Sequence, residues 1–126
     1  MVSLIDVVHL LKAAMPELNV YPLELPLKSP TSSVVVDMDA NQSSVAGVFP
    51  VNVQIKVRED HPTKAEQTSF KIRSYLENKT DFPLGDSQVV LVKSVTPIPL
   101  FVGKDTESRY LYSNNFTFTL NEGDIK

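Results

Sequence analysis

The sequence predicts an α+β fold. One domain is expected, with a mainly antiparallel, mixed β-sheet of about four to six strands and two helices packed on one face. Three observations lead there. Two stretches carry apolar residues at helical spacing, several others alternate apolar and polar residues or run apolar for most of their length, and in the order helix, two or three strands, one long strand, helix, two or three strands, helices packed on one face of the sheet would bury these stripes. A chain of 126 residues is long enough for one core and short for two.

Leu4, Val8, Leu11 and Met15 recur at helical spacing with Val7 and Ala14 beside them, which predicts a helix over about 3–15. Ser3 is placed to cap it, Asp6 favours the positive end of its dipole, and Pro16 stops it. Pro22 and Pro26 punctuate the next stretch, so a short edge strand is expected over about 20–25. The Val-rich stretch 33–38 predicts a second strand. A loop is expected over about 39–50, polar at first, apolar at its end and flexible. Val51, Val53, Ile55 and Val57 alternate with Asn52, Gln54, Lys56 and Arg58, the clearest half-buried strand in the chain.

Thr63-Lys64-Ala65-Glu66 fits a capping box opening a helix over about 63–79, with Ala65, Thr68, Ser69, Ile72, Tyr75 and Leu76 on one face. Residues 78–85 are expected to end it. Residues 87–95 form a nearly continuous apolar run, the pattern of a central strand. An extended arm with Pro97 and Pro99 leads to a turn at Gly103, which can adopt conformations other residues avoid. In the last strand Tyr110, Tyr112, Phe116, Phe118 and Leu120 share one face, and Ser113, Asn115, Thr117 and Thr119 the other.

Hydrophobic residues make up 42% of the chain and charged ones 21%, a composition that folds. A net charge of −3 and a pI near 5.3 argue against a basic nucleic-acid footprint. No cysteine is present, which excludes disulfides, thiolate nucleophiles and Cys-based zinc sites. The apolar N-terminus is interrupted by Asp6 and has no preceding Lys or Arg, so neither a signal peptide nor a membrane span is expected. Asn41, Asn78 and Asn115 head glycosylation triplets that read as chance without a secretory signal.

No catalytic or metal constellation emerges, and no cofactor is expected. Asp37, Asp39, Asn41 and Ser43 have the spacing of a calcium loop. Gln42 stands where such a loop needs Gly, and Val48 where it needs a bidentate Glu. His9 and His61 are distant and have no partner spacing, and the four glycines form no phosphate loop. Phe70 lies opposite the buried face of its helix. With Val48, Phe49 and Phe101 it could form an apolar contact patch, or these loops could fold back over the core. Arg58 ends one strand and Arg109 opens another. Each suits a solvated strand end, or a pair with a neighbouring subunit's Asp or Glu. Lys64, Lys71, Arg73 and Lys79 make the second helix modestly basic, the pattern of a solvated face.

Near the C-terminus the order is Pro97 and Pro99, Gly103-x-Asp105, then Arg109-Tyr110-x-Tyr112-Ser113-x-Asn115-Phe116. It comes after the strand Val53-Gln54-Ile55-Lys56-Val57-Arg58 and the helix with Ala65, Ile72 and Leu76. Together, in a short chain, these resemble the tail terminator (tail completion, or minor capsid) proteins of long-tailed bacteriophages. The resemblance implies a non-enzymatic virion protein without cofactors, assembled in the host bacterial cytoplasm. It implies a hexameric ring that caps the tail tube and forms the head–tail joining surface. The implied partners are other copies of itself, the major tail tube protein and a head-completion or connector protein. Sequence-specific nucleic acid and membrane are not among them, since DNA only passes through the channel. Carried onto this chain, it points to Arg58 and to the turn with Gly103, Asp105 and Arg109. The candidate interface is therefore Val48, Phe49, Arg58, Phe70, Phe101, Asp105 and Arg109. The 39–50 loop departs from the family pattern. Two other readings stay open: a stopper or adaptor protein of the phage neck, and a small-ligand or peptide-binding α+β domain.

Overall fold

Both kinds of periodicity in the sequence converge on a single core. In a computed structural model that describes residues 2–39 and 48–121, the chain forms helix α1 (Leu4–Ala14), strands β1 (Val20–Pro22), β2 (Ser33–Asp39) and β3 (Val48–Glu59), helix α2 (Pro62–Leu76), and strands β4 (Thr80–Leu84), β5 (Ser87–Ser94), β6 (Leu100–Lys104) and β7 (Tyr110–Asn121). The strands make one seven-stranded sheet ordered β1-β2-β3-β7-β5-β4, with β6 also on β7. Only the β1–β2 pair is parallel. The α+β class holds, and the sheet is larger than the four to six strands expected.

The helix stripes and the inner sheet face interlock. Val7, Val8 and Leu11 of α1, Ile72 and Leu76 of α2, and Val34, Val36, Val53, Ile55, Val89, Val92, Phe116, Phe118 and Leu120 of the sheet form one buried cluster. The sheet curls enough for α1 to touch β1 and β2 near one edge and β4 at the other. Among the buried apolar groups sits Asn114. Its amide donates to the Ser69 carbonyl of α2 at 2.8 Å, fixing where the helix lies along β7.

Several boundaries differ from the sequence reading, each for a local reason. At the N-terminus of α1 the Asp6 carboxylate accepts the Ser3 N–H at 2.8 Å, a reciprocal cap. At α2 the cap is His61, not Thr63: its Nδ1 accepts the Thr63 N–H at 3.3 Å, and Pro62 occupies the first helical turn, where its missing N–H costs nothing. The helix stops at Leu76 rather than 79 because Glu77 turns extended, at ψ 127°, and Asn78 left-handed, at φ +63°, a tight turn closed by the Lys79 N–H donating to Leu76 O at 3.0 Å.

Residues 78–85 then contain a strand the sequence did not announce. Phe82 and Leu84 of β4 alternate into the core, while Pro83 is tolerated because β4 is an edge. The apolar run of β5 comes from a bulge at Val90 that lets Val89 and Val92, three residues apart, both face inward. That strand is second from the edge, not central. Of the loop expected at 39–50, residues 40–47 lie outside the described residues, and 48–50 are the start of β3.

Candidate assembly surface

The strand β7 has two different neighbours along one edge. Its second half, 116–121, pairs with β5, and its first half, 110–113, pairs with β6. Between them the chain leaves β7 and returns. Val95 N–H still donates to Asn115 O at 2.8 Å. Residues 96–99 then step away, with the Thr96 hydroxyl donating to Ile98 O at 2.8 Å, and Pro97 and Pro99 unable to donate to a ladder at all. The chain rejoins β7 at Leu100.

That detour leaves β6 as an overhang. It pairs with β7 on one side, and no strand among the described residues pairs with its other edge. Leu100, Phe101 and Val102 are exposed in succession, Phe101 to 55% and Val102 to 53%, and Val95 and Ile98 are exposed just before them. Successive side chains in a strand point to opposite faces, so both faces of β6 are uncovered. A bulge at Val102 accounts for the offset between Phe101, opposite Tyr112, and Gly103, opposite Leu111. It requires φ +144° at Gly103, a conformation that a side chain would strain. The Phe101 ring meets those of Tyr112 and Tyr110 at centroid distances of 5.6 and 6.3 Å, and the Lys104 ammonium lies 5.0 Å from the Tyr110 centroid.

The turn that joins β6 to β7 is wired from within. Asp105 Oδ1 accepts the N–H groups of Glu107 and Arg109, both at 2.9 Å, and its Oδ2 accepts Arg109 Nε at 2.7 Å. Burial pushes the Asp105 carboxyl upward, but the hydrogen bonds from Arg109 and Glu107 outweigh it and hold its pKa below the ordinary value. Ser108 takes a left-handed φ of +63° to close the turn. These bonds fix the turn between β6 and β7.

Arg58 is not a solvated strand end. It is 7% exposed, and its guanidinium donates to Thr31 O at 3.2 Å, to Ser29 Oγ at 2.9 Å and to Pro30 O at 2.6 Å. It therefore clamps the end of the segment between β1 and β2. Burial lowers its pKa, the Arg109 charge adds to that, and Asp105 and Glu107 oppose it.

Of the residues singled out by sequence, the fold thus brings Arg58, Phe101, Asp105 and Arg109 to one end of the sheet. Val48 and Phe49 start β3 at the other end. Phe101 is opposite Tyr112, and Tyr112 opposite Val57, so the nine residue steps from Val48 to Val57 separate the two levels, about 30 Å at a strand's rise. Val48 is exposed. Phe70 is 41% exposed on the outer side of α2. The expected patch of four therefore spans three separate places. Reading by single residues missed Val95, Ile98, Leu100 and Val102; their signal is an apolar run interrupted by two prolines.

A cleft of about 270 Å³ lies between α2 and the segment after α1, lined by Glu17, Asn19, Ser32, Glu59, Lys64 and Lys71. Its charges are largely paired: Glu59 accepts from the Ser32 hydroxyl and lies 3.6 Å from Lys64, and Lys71 pairs with Glu17. Among the described residues no group of three or more His, Asp or Glu is placed to hold a metal ion, and no helix is long and apolar enough to cross a membrane.

Residues 28–122 match the family described as bacteriophage tail terminator protein. The chain belongs to that family. The match runs from the end of the arm clamped by Arg58, through both β6 and the wired turn, to the end of β7. It makes the protein a structural component of a phage tail. No curated protein matches the chain.

Proposed function

We propose that this tail terminator caps the end of the tail tube as a ring, most simply a hexamer, which ends tail polymerisation and offers the surface to which the head joins. The observation that carries the reading is the apolar overhang at 95–102, joined to β7 by the hydrogen-bonded Asp105 turn, in a chain of the terminator family. Monomeric proteins rarely leave such contiguous apolar surface in water.

The mechanism is thermodynamic and needs no catalysis or cofactor. Free subunits meet through a small interface and associate weakly. At the tube end each subunit also binds the major tail tube protein, so its neighbours' contacts become effectively intramolecular and the cap stays on. A head-completion or connector protein then docks on the opposite surface. Val48, Phe49 and Phe70 would serve these vertical contacts, and Phe101, Asp105 and Arg109 the lateral ones, with Arg58 holding the adjoining segment in place. A mildly acidic surface would suit a channel through which DNA slides, because it repels the phosphates, and the net charge of −3 is in keeping with that. Assembly would take place in the bacterial cytoplasm, with the protein then retained in the virion.

The test is negative-stain imaging with light scattering over a concentration series, followed by addition to tail tubes that lack a cap. Rings with an open channel, or tubes that stop growing, are expected. A strict monomer that also fails to bind uncapped tubes would overturn the reading.

A further inference from the structure

The cleft between α2 and the segment after α1 holds a charge that its own surroundings only half satisfy. The Glu59 side chain is 5% exposed, and both of its contacts fall on one oxygen: Oε1 accepts from the Ser32 hydroxyl and lies 3.6 Å from Lys64 Nζ. Among the described residues no group donates to Oε2, and that atom is not sealed from solvent. Glu59 lines the cleft, so its small exposure opens there. A buried carboxylate is costly unless its oxygens are paired or hydrogen-bonded. Lys64 does not complete the pairing. Its ammonium is 58% exposed and stands beyond hydrogen-bond distance, and such a surface contact contributes little. The other lysine of the cleft, Lys71, is taken up by Glu17.

The same cleft carries a second unused acceptor. Asn19 Nδ2 donates to Ser32 O at 3.0 Å, which leaves Asn19 Oδ1 without a donor among the described residues. Leu18 and Val34 add an apolar wall. The volume of about 270 Å³ is below the roughly 300–1,000 Å³ of sites for drug-sized ligands and suits a single side chain.

We infer that this cleft receives an arginine side chain of a neighbouring virion protein. Its aliphatic stem lies along Leu18 and Val34, and its guanidinium donates to Glu59 Oε2 and Asn19 Oδ1. Unfilled acceptors beside apolar walls call for a cation on an aliphatic stem. The planar guanidinium fork can serve two acceptors at once and is more weakly hydrated than an ammonium, which favours arginine over lysine. Lys64, long and exposed, is free to swing into water as the incoming charge replaces it. The partner is a protein because the chain is a structural component of a phage tail. The inference rests on that membership and does not need the ring.

The test begins with the full chain in solution, titrated with N-acetyl-arginine amide and followed by the amide resonances of the labelled protein. N-acetyl-citrulline amide, of the same shape without the charge, is the control. Saturable shifts confined to residues 17–19, 32–34, 59 and 64–71 are expected, with citrulline about tenfold weaker or worse. Glu59→Gln should weaken arginine binding to a similar degree. Because a change at a buried site can disturb folding, Thr68→Arg is the second variant. It sits half-buried on the α2 wall of the cleft and offers a guanidinium of the chain's own. It should keep the parent's unfolding transition and bind no added arginine. Equal binding of citrulline, shifts centred elsewhere, or undiminished binding by Thr68→Arg would overturn the site. Uncapped tail tubes and tailless heads then test the partner: folded Thr68→Arg should lose binding to one of them. If it caps tubes and joins heads as the parent does, no virion protein fills the cleft and the inference fails. Rings formed by a parent chain that shows no arginine shifts would sink this inference alone, whereas specific shifts in a chain that forms no ring would leave it standing and remove the ring.

Discussion

The two halves of β7 obey the same alternation and end in opposite situations. In the second half Phe116, Phe118 and Leu120 are 1% exposed, flanked by β3 and β5 and sealed by the helices. In the first half Tyr110 and Tyr112 fall on the same side yet stay half-buried, and the ring that covers Tyr112 is Phe101, itself open to water. Between the two halves lies Asn114, whose amide donates to the Ser69 carbonyl of α2. Alternation thus specifies which side of a strand is apolar. It does not specify what covers that side. One half is covered by this chain's own helices, and the other only by Phe101, itself exposed.

The largest effect should come from the sealed half. Phe116→Ala is expected to cost about 3–5 kcal/mol, measured by urea unfolding, and to abolish tail capping only because the subunit unfolds. A loss below about 1 kcal/mol would mean the two halves are not as different as their burial implies.

Arg58→Met comes next. It leaves the Ser29 hydroxyl and the Pro30 and Thr31 carbonyls without their shared donor, a loss of about 1–3 kcal/mol. Because the arm end is released, limited proteolysis should cut within 23–31 well before the core opens. Equal protection of the arm in the variant would show that Arg58 does not hold it.

How much of this was visible in the sequence depends on how local each cause is. Both helices, β3 and most of β7 were legible because each carries a period of 3.6 or 2, while β2 and β5 showed as a Val-rich and a nearly continuous apolar run and β1 as a short stretch punctuated by prolines. β4 was not: its alternation is two residues, Phe82 and Leu84, divided by Pro83, and only the edge position makes that tolerable. β6 read as an arm for a similar reason, since the prolines before it and the bulge at Val102 erase the period. The role of Arg58 was out of reach, since its partners are 27 to 29 residues away on a segment with no periodic signal. The family likeness was legible because the wired turn is spelled locally, from Gly103 to Arg109.

The turn itself supplies a pH-dependent prediction of intermediate size. Asp105→Ala removes an acceptor of three hydrogen bonds and should cost about 1–2 kcal/mol. The folded pKa of Asp105 lies below its unfolded value, so the charged form stabilises the fold above the ordinary aspartate range, near ~3.9. That contribution fades as pH falls from there through the lower folded value. The stability difference between the parent and Asp105→Asn should therefore be flat above about pH 5 and shrink below about pH 4. A difference that grows on acidification would reverse the assigned sign.

The smallest effect on stability, and the most informative, belongs to the overhang. Phe101→Ser removes a ring that touches Tyr110 and Tyr112 but seals nothing, so unfolding should shift by no more than about 1 kcal/mol. Phe70→Ser on the outer face of α2 should shift it by no more than about 0.5 kcal/mol. Both variants should fail to stop tail-tube growth. Phe101→Ser should also fail to form rings, while Phe70→Ser should still form them, because Phe70 is assigned to the vertical contact. If Phe101→Ser instead unfolds as readily as Phe116→Ala, the overhang is part of the core and the contrast between the two halves of β7 collapses. If it folds and still caps tubes, the contrast stands, but the exposed half of the strand is not where subunits meet.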